Sequence, residues 1–215
     1  MKMIIINGSP KAEKGNTEIF IREFQKGMKN PCEVRYVARE SAKMIAEDLK
    51  HYDTVIIAMP LYVHAMPGIV MKLIEELEPA EGAGKSMGFI VQSGFIESAQ
   101  SKYLERYLST LTKRLNYEYL GTVIKGGSAG VYMMPEKMNA KLFAKLQSLG
   151  SYFEENRSFR KDVVEELGTP HSLTKKKSRL MQFYFKVGLG DSIFWRMLLR
   201  NNHASDKKFD RPFAE

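Results

Sequence analysis

Short apolar runs alternate with amphipathic stretches along most of this chain. Residues 3–6 and 54–59 are continuous apolar runs, which are typical of strands buried on both faces of a parallel sheet. Between such runs, apolar residues recur at the three- and four-residue spacing of one helix face. The pattern predicts five strands separated by helices, including a long amphipathic helix after the fourth strand whose apolar face carries Ala99, Tyr103, Tyr107, Leu111 and Leu115. The predicted strands are residues 3–6, 33–37, 54–59, 87–92 and 119–124.

Regular alternation of strand and helix favours an open α/β fold, a doubly wound parallel sheet with helices on both faces. Ligands of such sheets bind at the carboxyl ends of the strands, near the point where the strand order reverses. Three loops of unusual composition follow predicted strands, at residues 7–17, 60–66 and 93–98. All three therefore belong to the same edge of the sheet, where we expect the functional site.

The loop at residues 7–17 has the composition of an anion site. It places the hydroxyls of Ser9 and Thr17 next to the start of a helix, whose free N–H groups and dipole favour a phosphate. An ordinary connection with Asn16 as N-cap is the alternative. Gly8 and Gly15 lack the spacing and the following Lys of a Walker loop, and no GxGxxG fingerprint is present. Triphosphate hydrolysis and dinucleotide binding at this loop are therefore disfavoured.

The composition is that of a globular protein with an uneven charge. The 215 residues carry a net charge of +8, and the part from His171 onward holds ten Lys or Arg against four Asp or Glu. The single cysteine, Cys32, can form no internal disulfide, and the four histidines lack metal-ligand spacing. We therefore expect no metal, no spanning segment and no signal peptide, and a cytoplasmic location.

Three segments together resemble a known family. GSPKAEKGNT at residues 8–17, MPLYVHAMPGIVMKLIEEL at 59–77 and VQSGFIES at 91–98 are similar to motifs of the flavodoxin-like NAD(P)H-dependent FMN reductases. The resemblance implies a flavodoxin-like, five-stranded FMN-binding domain at residues 1–160. It is weakest in the remainder, residues 161–215, which is predicted to be a basic, aromatic-rich helical extension.

The resemblance also implies which residues bind FMN. The first loop would hold the phosphate, the second would lie along the flavin ring, and the third would approach its pyrimidine side and ribityl chain. In the order of these loops, the implied residues are Ser9, Lys11, Asn16 and Thr17; Pro60, Leu61, Tyr62 and Val63; and Ser93, Gly94 and Phe95. No catalytic residue is assigned. His64 is a candidate proton donor or an ordinary polar loop residue, and Glu97 is interpreted as a helix cap.

The implied function is an FMN-dependent oxidoreductase. It would take hydride from NADH or NADPH and pass two electrons to a quinone, nitro, azo or free-flavin acceptor by a ping-pong mechanism. A flavodoxin-type carrier serving a protein partner is the alternative, although flavodoxins are strongly acidic and this chain is basic. A third possible function is that of a flavin-free scaffold protein. The resemblance and the apolar tail predict a homodimer.

The tail combines basic and apolar residues over residues 175–202, which predicts two short helices interrupted at residues 188–191, the second capped by Asp191 or Ser192. Its apolar face could pack on the sheet domain or across a dimer interface. It could instead be a basic amphipathic surface that contacts anionic membrane peripherally. Nucleic acid is not expected as a partner, because no reading motif accompanies the lysines.

Overall fold

Five parallel strands form one sheet in the computed structural model of the chain, which describes residues 2–187 and 189–211. The strands are β1 (Met3–Asn7), β2 (Glu33–Tyr36), β3 (Thr54–Pro60), β4 (Ser86–Gln92) and β5 (Glu118–Lys125). Their spatial order is β2-β1-β3-β4-β5, with all neighbours parallel. This is the doubly wound, flavodoxin-like order, whose reversal lies between β1 and β3. The predicted fold class is confirmed.

Helices cover both faces of this sheet. They are α1 (Asn16–Lys26), α2 (Ala42–Leu49), α3 (Gly68–Glu75), α4 (Lys102–Arg114), α5 (Glu136–Asn156) and α6 (Lys161–Leu167), and two further helices follow in the chain, α7 (Lys175–Lys186) and α8 (Leu189–Asn201). Buried residues of α2, α3 and α4 share one core with the sheet, and those of α1, α5 and α6 share the other. Successive residues of β1 alternate between the cores: Ile4 and Ile6 face the first, and Ile5 the second.

The buried face of α4 differs from the expected one. The sequence predicted a stripe that included Tyr103 and Tyr107, but these side chains are 70% and 50% exposed, while Leu104 and Leu108 are buried. The two stripes are adjacent on the helix, so periodicity alone does not separate them. Leucine has no polar atom to satisfy, whereas a buried tyrosine hydroxyl needs a partner, which favours the leucine face for the core.

The chain divides into two compact units, Met1–Ser172 and Leu173–Glu215. The first unit includes α6 and so extends beyond residue 160, the predicted end of the FMN-binding domain. In the second unit, α7 and α8 contact each other. Within the described ranges, 2–187 and 189–211, the helices are too short or too polar to cross a bilayer.

The predicted cap of the second tail helix is wrong. Because α8 begins at Leu189, both Asp191 and Ser192 lie inside its first turns. An acidic residue is favoured by the helix dipole within the first turn as well as at the N-cap, so the sequence did not distinguish the two positions. Of the predicted interruption at residues 188–191, Gly188 lies outside the described residues.

Candidate functional site

The first loop is held by its own polar groups. Asn7 ends β1, and its Oδ1 accepts a hydrogen bond from the Ser9 N–H at 3.0 Å. The Ser9 Oγ in turn accepts from the Lys11 N–H at 3.2 Å, and the Asn7 Nδ2 donates to Glu18 Oε2 at 2.9 Å. These local bonds form a turn of the Asx type and fix the direction of the chain as it leaves the sheet. Ser9 and Lys11 are thereby positioned at the carboxyl end of β1.

The start of α1 lies beside Ser9. Gly15 occupies the N-cap position and provides no side-chain cap, so N–H groups of the first turn remain for another acceptor. A Cβ at Gly15 would lie 2.8 Å from the Ser9 Oγ and 3.2 Å from the Lys11 Cβ. Only glycine allows so close an approach. The result is a set of N–H donors and a hydroxyl at the positive end of a helix, an arrangement suited to an anion.

Most of the residues predicted to bind FMN line one cleft at this edge of the sheet. The cleft has a volume of about 180 Å³ and opens to solvent. Its lining includes two lysines and no carboxylate among the residues that the structure describes. The predicted residues that line it are Ser9, Lys11, Asn16, Pro60, Leu61, Tyr62, Ser93 and Gly94. The other lining residues are Lys14, Gly15, Gln92, Ala129 and Tyr132.

Three predicted residues do not line the cleft. The Thr17 side chain is buried, and its Oγ1 accepts a hydrogen bond from Gln92 Nε2 at 3.4 Å. It therefore joins the start of α1 to the end of β4 beneath the cleft. Val63 and Phe95 lie outside the lining, with exposures of 86% and 47%.

Asn16 connects the first loop to a fourth. Its Nδ2 donates to the Ser128 carbonyl at 2.7 Å, and its Oδ1 accepts from the Tyr132 N–H at 3.0 Å. Both ends of this amide are thus used to hold the segment that follows β5, where Ala129 and Tyr132 complete the cleft. Asn16 does not cap α1, because the helix begins at Asn16 itself.

The sequence reading missed this fourth loop. The available signal was the segment KGGSAG at residues 125–130, a run of small residues directly after the fifth predicted strand and therefore at the same sheet edge. Tyr132 forms one wall of the cleft, with the Lys11 Nζ 5.7 Å from its ring centroid. A cation beside an aromatic face extends the positive end of the site.

The second loop ends in a tight two-residue turn. Tyr62 and Ala65 exchange backbone hydrogen bonds of 2.8 and 2.9 Å, while Val63 and His64 between them have φ values of 47° and 64°. Two left-handed residues are the requirement of a type I′ turn, which normally uses Asn and Gly. A β-branched residue is strained in this conformation. Val63 is nevertheless held there, at the exposed rim of the site.

His64 links the second loop to the third. Its ring lies parallel to that of Phe95, with centroids 6.0 Å apart and an interplanar angle of 3°. Its Nδ1 lies 3.2 Å from the Gln100 carbonyl oxygen, so a hydrogen bond there requires the proton on Nδ1. Glu97 occupies the N-cap position of a short 3₁₀ turn (Ser98–Ser101) that leads into α4, as predicted, but its side chain makes no capping bond there.

The third loop is fastened to the fourth by backbone bonds. The Ser93 N–H donates to the Lys125 carbonyl at 2.9 Å, and the Ser93 carbonyl accepts from the Ser128 N–H at 2.8 Å. The Lys125 Nζ donates to the Gly126 carbonyl at 2.6 Å. Burial, together with the positive charge of Lys145, lowers the pKa of Lys125. The ammonium therefore supports the loop at some electrostatic cost.

Tyr36, the last residue of β2, carries a neutral phenol. Burial and the adjacent Glu18 carboxylate raise the pKa of Tyr36 to about 12, so its hydroxyl stays protonated at neutral pH. Glu18 also accepts from Asn7. The carboxylate thus joins the ends of β1 and β2 beneath the first loop.

The donor set fits the phosphate ester of a flat aromatic group. One end of the cleft offers a hydroxyl, two ammonium groups and the first-turn N–H groups of α1, which suit a phosphate. The other end presents Leu61 and the half-exposed ring of Tyr62. FMN, the cofactor implied by the sequence resemblance, has both parts.

Comparison with known proteins supports this assignment. The family model described as NADPH-dependent FMN reductase matches residues 1–110 of the chain. No curated protein gives a significant match to the sequence.

Solved structures of low sequence identity share the fold. An NADPH-quinone reductase from P. pentosaceus is 18% identical with a TM-score of 0.51, over 69% of this chain and 96% of that one. An FMN-dependent NADH-azoreductase from Bacillus anthracis is 16% identical with a TM-score of 0.54, over 72% and 100%. An NAD(P)H:quinone oxidoreductase from Methanothermobacter marburgensis is 12% identical with a TM-score of 0.54, over 71% and 97%.

Proposed function

This chain belongs to the NADPH-dependent FMN reductase family, and from that premise we propose which acceptors it uses and how its residues hold the cofactor. It is an oxidoreductase that uses FMN as cofactor and NAD(P)H as electron donor. Bound FMN supplies the hydride-transfer chemistry. The proposed reaction passes two electrons to a quinone, nitro, azo or free-flavin acceptor.

The single observation that carries the proposal is the cleft in which the loops after β1, β3, β4 and β5 meet. In the proposal, Ser9, Lys11 and the first-turn N–H groups of α1 bind the phosphate of FMN. Lys14 adds positive charge at the same end of the cleft. Preorganised donors of this kind bind without the cost of ordering a loop.

The second and third loops take the ring in this proposal. Pro60, Leu61 and Tyr62 lie along it, and Ser93 and Gly94 approach its polar edge. Thr17 and Asn16 act as positioning residues, since their side chains bond to Gln92 and to the fourth loop. Val63 and Phe95 stand at the rim, where an incoming substrate meets the site.

We further propose a ping-pong scheme for the two substrates. The cleft opens to solvent, and Tyr62, which lines it, is 47% exposed, as is Phe95, while Val63 is 86% exposed. Both NAD(P)H and the acceptor are large flat groups, and one open face accommodates one of them at a time. Acceptors related to the azo compounds and quinones named for the structural neighbours are the first to test.

The test is spectroscopic and uses the full-length protein. Purified protein should show the visible spectrum of an oxidised flavin, retain FMN on gel filtration, and lose the visible absorbance within seconds of anaerobic mixing with NADPH or NADH. Steady-state rates with quinone, nitro, azo and flavin acceptors then identify the acceptor class. Parallel lines in double-reciprocal plots support the ping-pong scheme, and intersecting lines contradict it.

Two outcomes would reject the enzyme in favour of other classes. A bound flavin that stays oxidised for minutes with NAD(P)H, but is reduced by a separate reductase, indicates an electron carrier. A colourless protein that fails to retain added FMN indicates a scaffold.

The proposal also includes a cytoplasmic location and a homodimer, and the homodimer rests on the family resemblance and not on a contact between two tails. NAD(P)H is a donor found inside cells, and the single cysteine leaves the chain without an internal disulfide. Sedimentation equilibrium gives the mass directly. A value near 24.6 kDa at every concentration would reject the dimer.

A further inference from the structure

Helix α7 presents an exposed apolar stripe. Leu180, Phe183, Tyr184 and Val187 are spaced at three and four residues and so share one helix face, which continues to the residue just after the helix. Their exposures are 55%, 60%, 50% and 47%. A polar helix that simply faces water carries no such stripe, so this face is built to be covered.

Cations surround this stripe. The sequence of α7, KKKSRLMQFYFK, contains no acidic residue. Lys176 and Lys177 precede Leu180 by four and three residues and so stand at one end of the stripe, while Arg179 and Lys186 lie beside it. Residues 173–215 together carry ten Lys or Arg against four Asp or Glu, a net charge of +6. The covering surface should therefore be negative around an apolar interior.

Helix α8 adds an exposed aromatic residue and further cations to those of α7. α8 lies against α7 and carries Trp195, which is 54% exposed, together with exposed Arg196 and Arg200. Tryptophan and tyrosine are the residues that favour the boundary between lipid headgroups and acyl chains, because one part of each ring is apolar and one part is polar. Trp195 is the single tryptophan of the chain.

Charge distinguishes two surfaces that could cover the stripe, a second copy of the same unit and a lipid bilayer. A second copy of the same unit would place +6 against +6, and electrostatic repulsion would oppose that contact. An anionic bilayer supplies both requirements, since its phosphates attract the lysines and arginines and its acyl region accepts the apolar stripe. The helices are too short or too polar to span within the described part of the chain, so the contact would lie in the surface plane.

We propose that the C-terminal unit, residues 173–215, binds anionic lipid bilayers through the stripe of α7 and the cations around it. The protein is then a peripheral membrane protein whose association depends on lipid charge and ionic strength. This property is independent of the reaction proposed above.

Trp195 allows a direct test on the full-length protein with FMN bound. Vesicles of phosphatidylcholine mixed with phosphatidylglycerol should shift its fluorescence emission to shorter wavelength and carry the protein into the pellet. Pure phosphatidylcholine vesicles should do so at least tenfold more weakly, and high salt should release the protein because it screens the charges.

Substitutions separate the apolar contribution to vesicle binding from the electrostatic contribution. Leu180→Ser with Phe183→Ser should weaken vesicle binding about tenfold or more, because it removes two apolar side chains from the stripe. Met138→Ser, an exposed apolar residue of α5, is the matched control and should bind as the unchanged protein does. Lys176→Glu with Lys177→Glu should also weaken binding about tenfold or more, against Lys137→Glu with Lys141→Glu as control.

Three results would overturn the proposal. One is the absence of both the emission shift and co-pelleting with anionic vesicles. Another is self-association that Leu180→Ser with Phe183→Ser abolishes, without vesicle binding, which would assign the stripe to a second copy. The third is binding to duplex nucleic acid that exceeds binding to vesicles and survives the loss of the apolar stripe.

Discussion

The first and second loops of the cleft lie side by side but are built in opposite ways. In the first loop, Ser9 and Thr17 are buried and their polar atoms are satisfied by neighbouring groups. In the second, Val63 is 86% exposed and held in a left-handed conformation. One loop is packed around a fixed donor set, and the other is an exposed turn.

The difference follows the chemistry that each loop is proposed to serve. Anion binding relies on dipoles that already point at the ligand, because reorganising them would cost much of the interaction energy. The ring end must admit one flat substrate after another, so it needs access and no dense packing. The following substitutions test this contrast, starting with the largest expected effect.

The first loop leads into α1, which packs closely against α5. Gly150→Ala in α5 tests this packing. A Cβ there would lie 1.8 Å from the Phe24 carbonyl oxygen in α1, so the two helices would have to separate. We expect the free energy of unfolding to fall by about 3 kcal/mol, measured by urea denaturation. Gly68→Ala is the control, because nothing lies within 4 Å of its added Cβ. Equal stability of the two variants would show that α1 is not held so closely.

The packing inside the first loop is tested by Gly15→Ala. The added Cβ would lie 2.8 Å from the Ser9 Oγ and force the loop to shift. Because the shift relieves the clash in the free protein, thermal stability should change little. FMN binding would have to restore the strained loop at a cost of about 2 kcal/mol, so we expect FMN affinity to drop roughly thirtyfold, measured by flavin fluorescence titration. Gly68→Ala again serves as control. FMN affinity within a factor of two of the unchanged protein would contradict a rigid phosphate loop.

The connection to the fourth loop is tested by Asn16→Ala. This change removes both hydrogen bonds from the amide to Ser128 and Tyr132. At about 1 kcal/mol for each bond, partly regained from water, we expect FMN affinity to fall about tenfold. Asn156→Ala removes an amide that donates to Tyr152 outside the cleft, and it should leave affinity unchanged. Equal effects of the two variants would exclude a positioning role.

Ser9→Ala and Thr17→Ala compare a hydroxyl that lines the cleft with one that lies away from it. Ser9 lines the cleft, whereas the Thr17 hydroxyl is occupied by Gln92 and lies away from it. Loss of one hydrogen bond of about 1 kcal/mol predicts about fivefold weaker FMN binding for Ser9→Ala and a smaller loss for Thr17→Ala. Unchanged affinity in the double variant would remove this loop from the site.

The strain of the second loop is tested by Val63→Gly. Relief of the left-handed conformation gains about 1–2 kcal/mol, and the greater freedom of glycine when unfolded offsets much of it. We expect a net stabilisation of about 0.5 kcal/mol in chemical denaturation. Thr110→Gly, in the exposed middle of α4, should instead destabilise by about 0.3 kcal/mol, so the two variants should differ in sign. A destabilised Val63→Gly variant would mean that the side chain is held by contacts and not merely exposed.

Part of the site was predictable because its signals are local. A strand followed by Gly8, Ser9 and the start of a helix indicates an anion loop wherever it occurs. The direction of the Thr17 side chain is not local. It depends on Gln92, far along the chain, which donates to its hydroxyl from the end of β4.

The fourth loop and the exposed face of α4 show the same limit. Small residues after β5 are compatible with any surface turn, and only the bonds from Asn16 to Ser128 and Tyr132 make them part of the cleft. In α4, tyrosine and leucine stripes lie next to each other, and packing against β4 and β5 buries the leucines. Partners distant in sequence decide both cases.

The sequence by itself determined the parallel sheet, the sheet edge that carries the cleft and the turn-rich first loop, because apolar period and turn chemistry act over a few residues. Only the tertiary structure decided that Thr17 points inward, that Asn16 holds the segment after β5, and that Tyr132 walls the cleft. Hydrogen bonds across more than a hundred residues of chain exist only after the strands have paired, and so no local pattern encodes them.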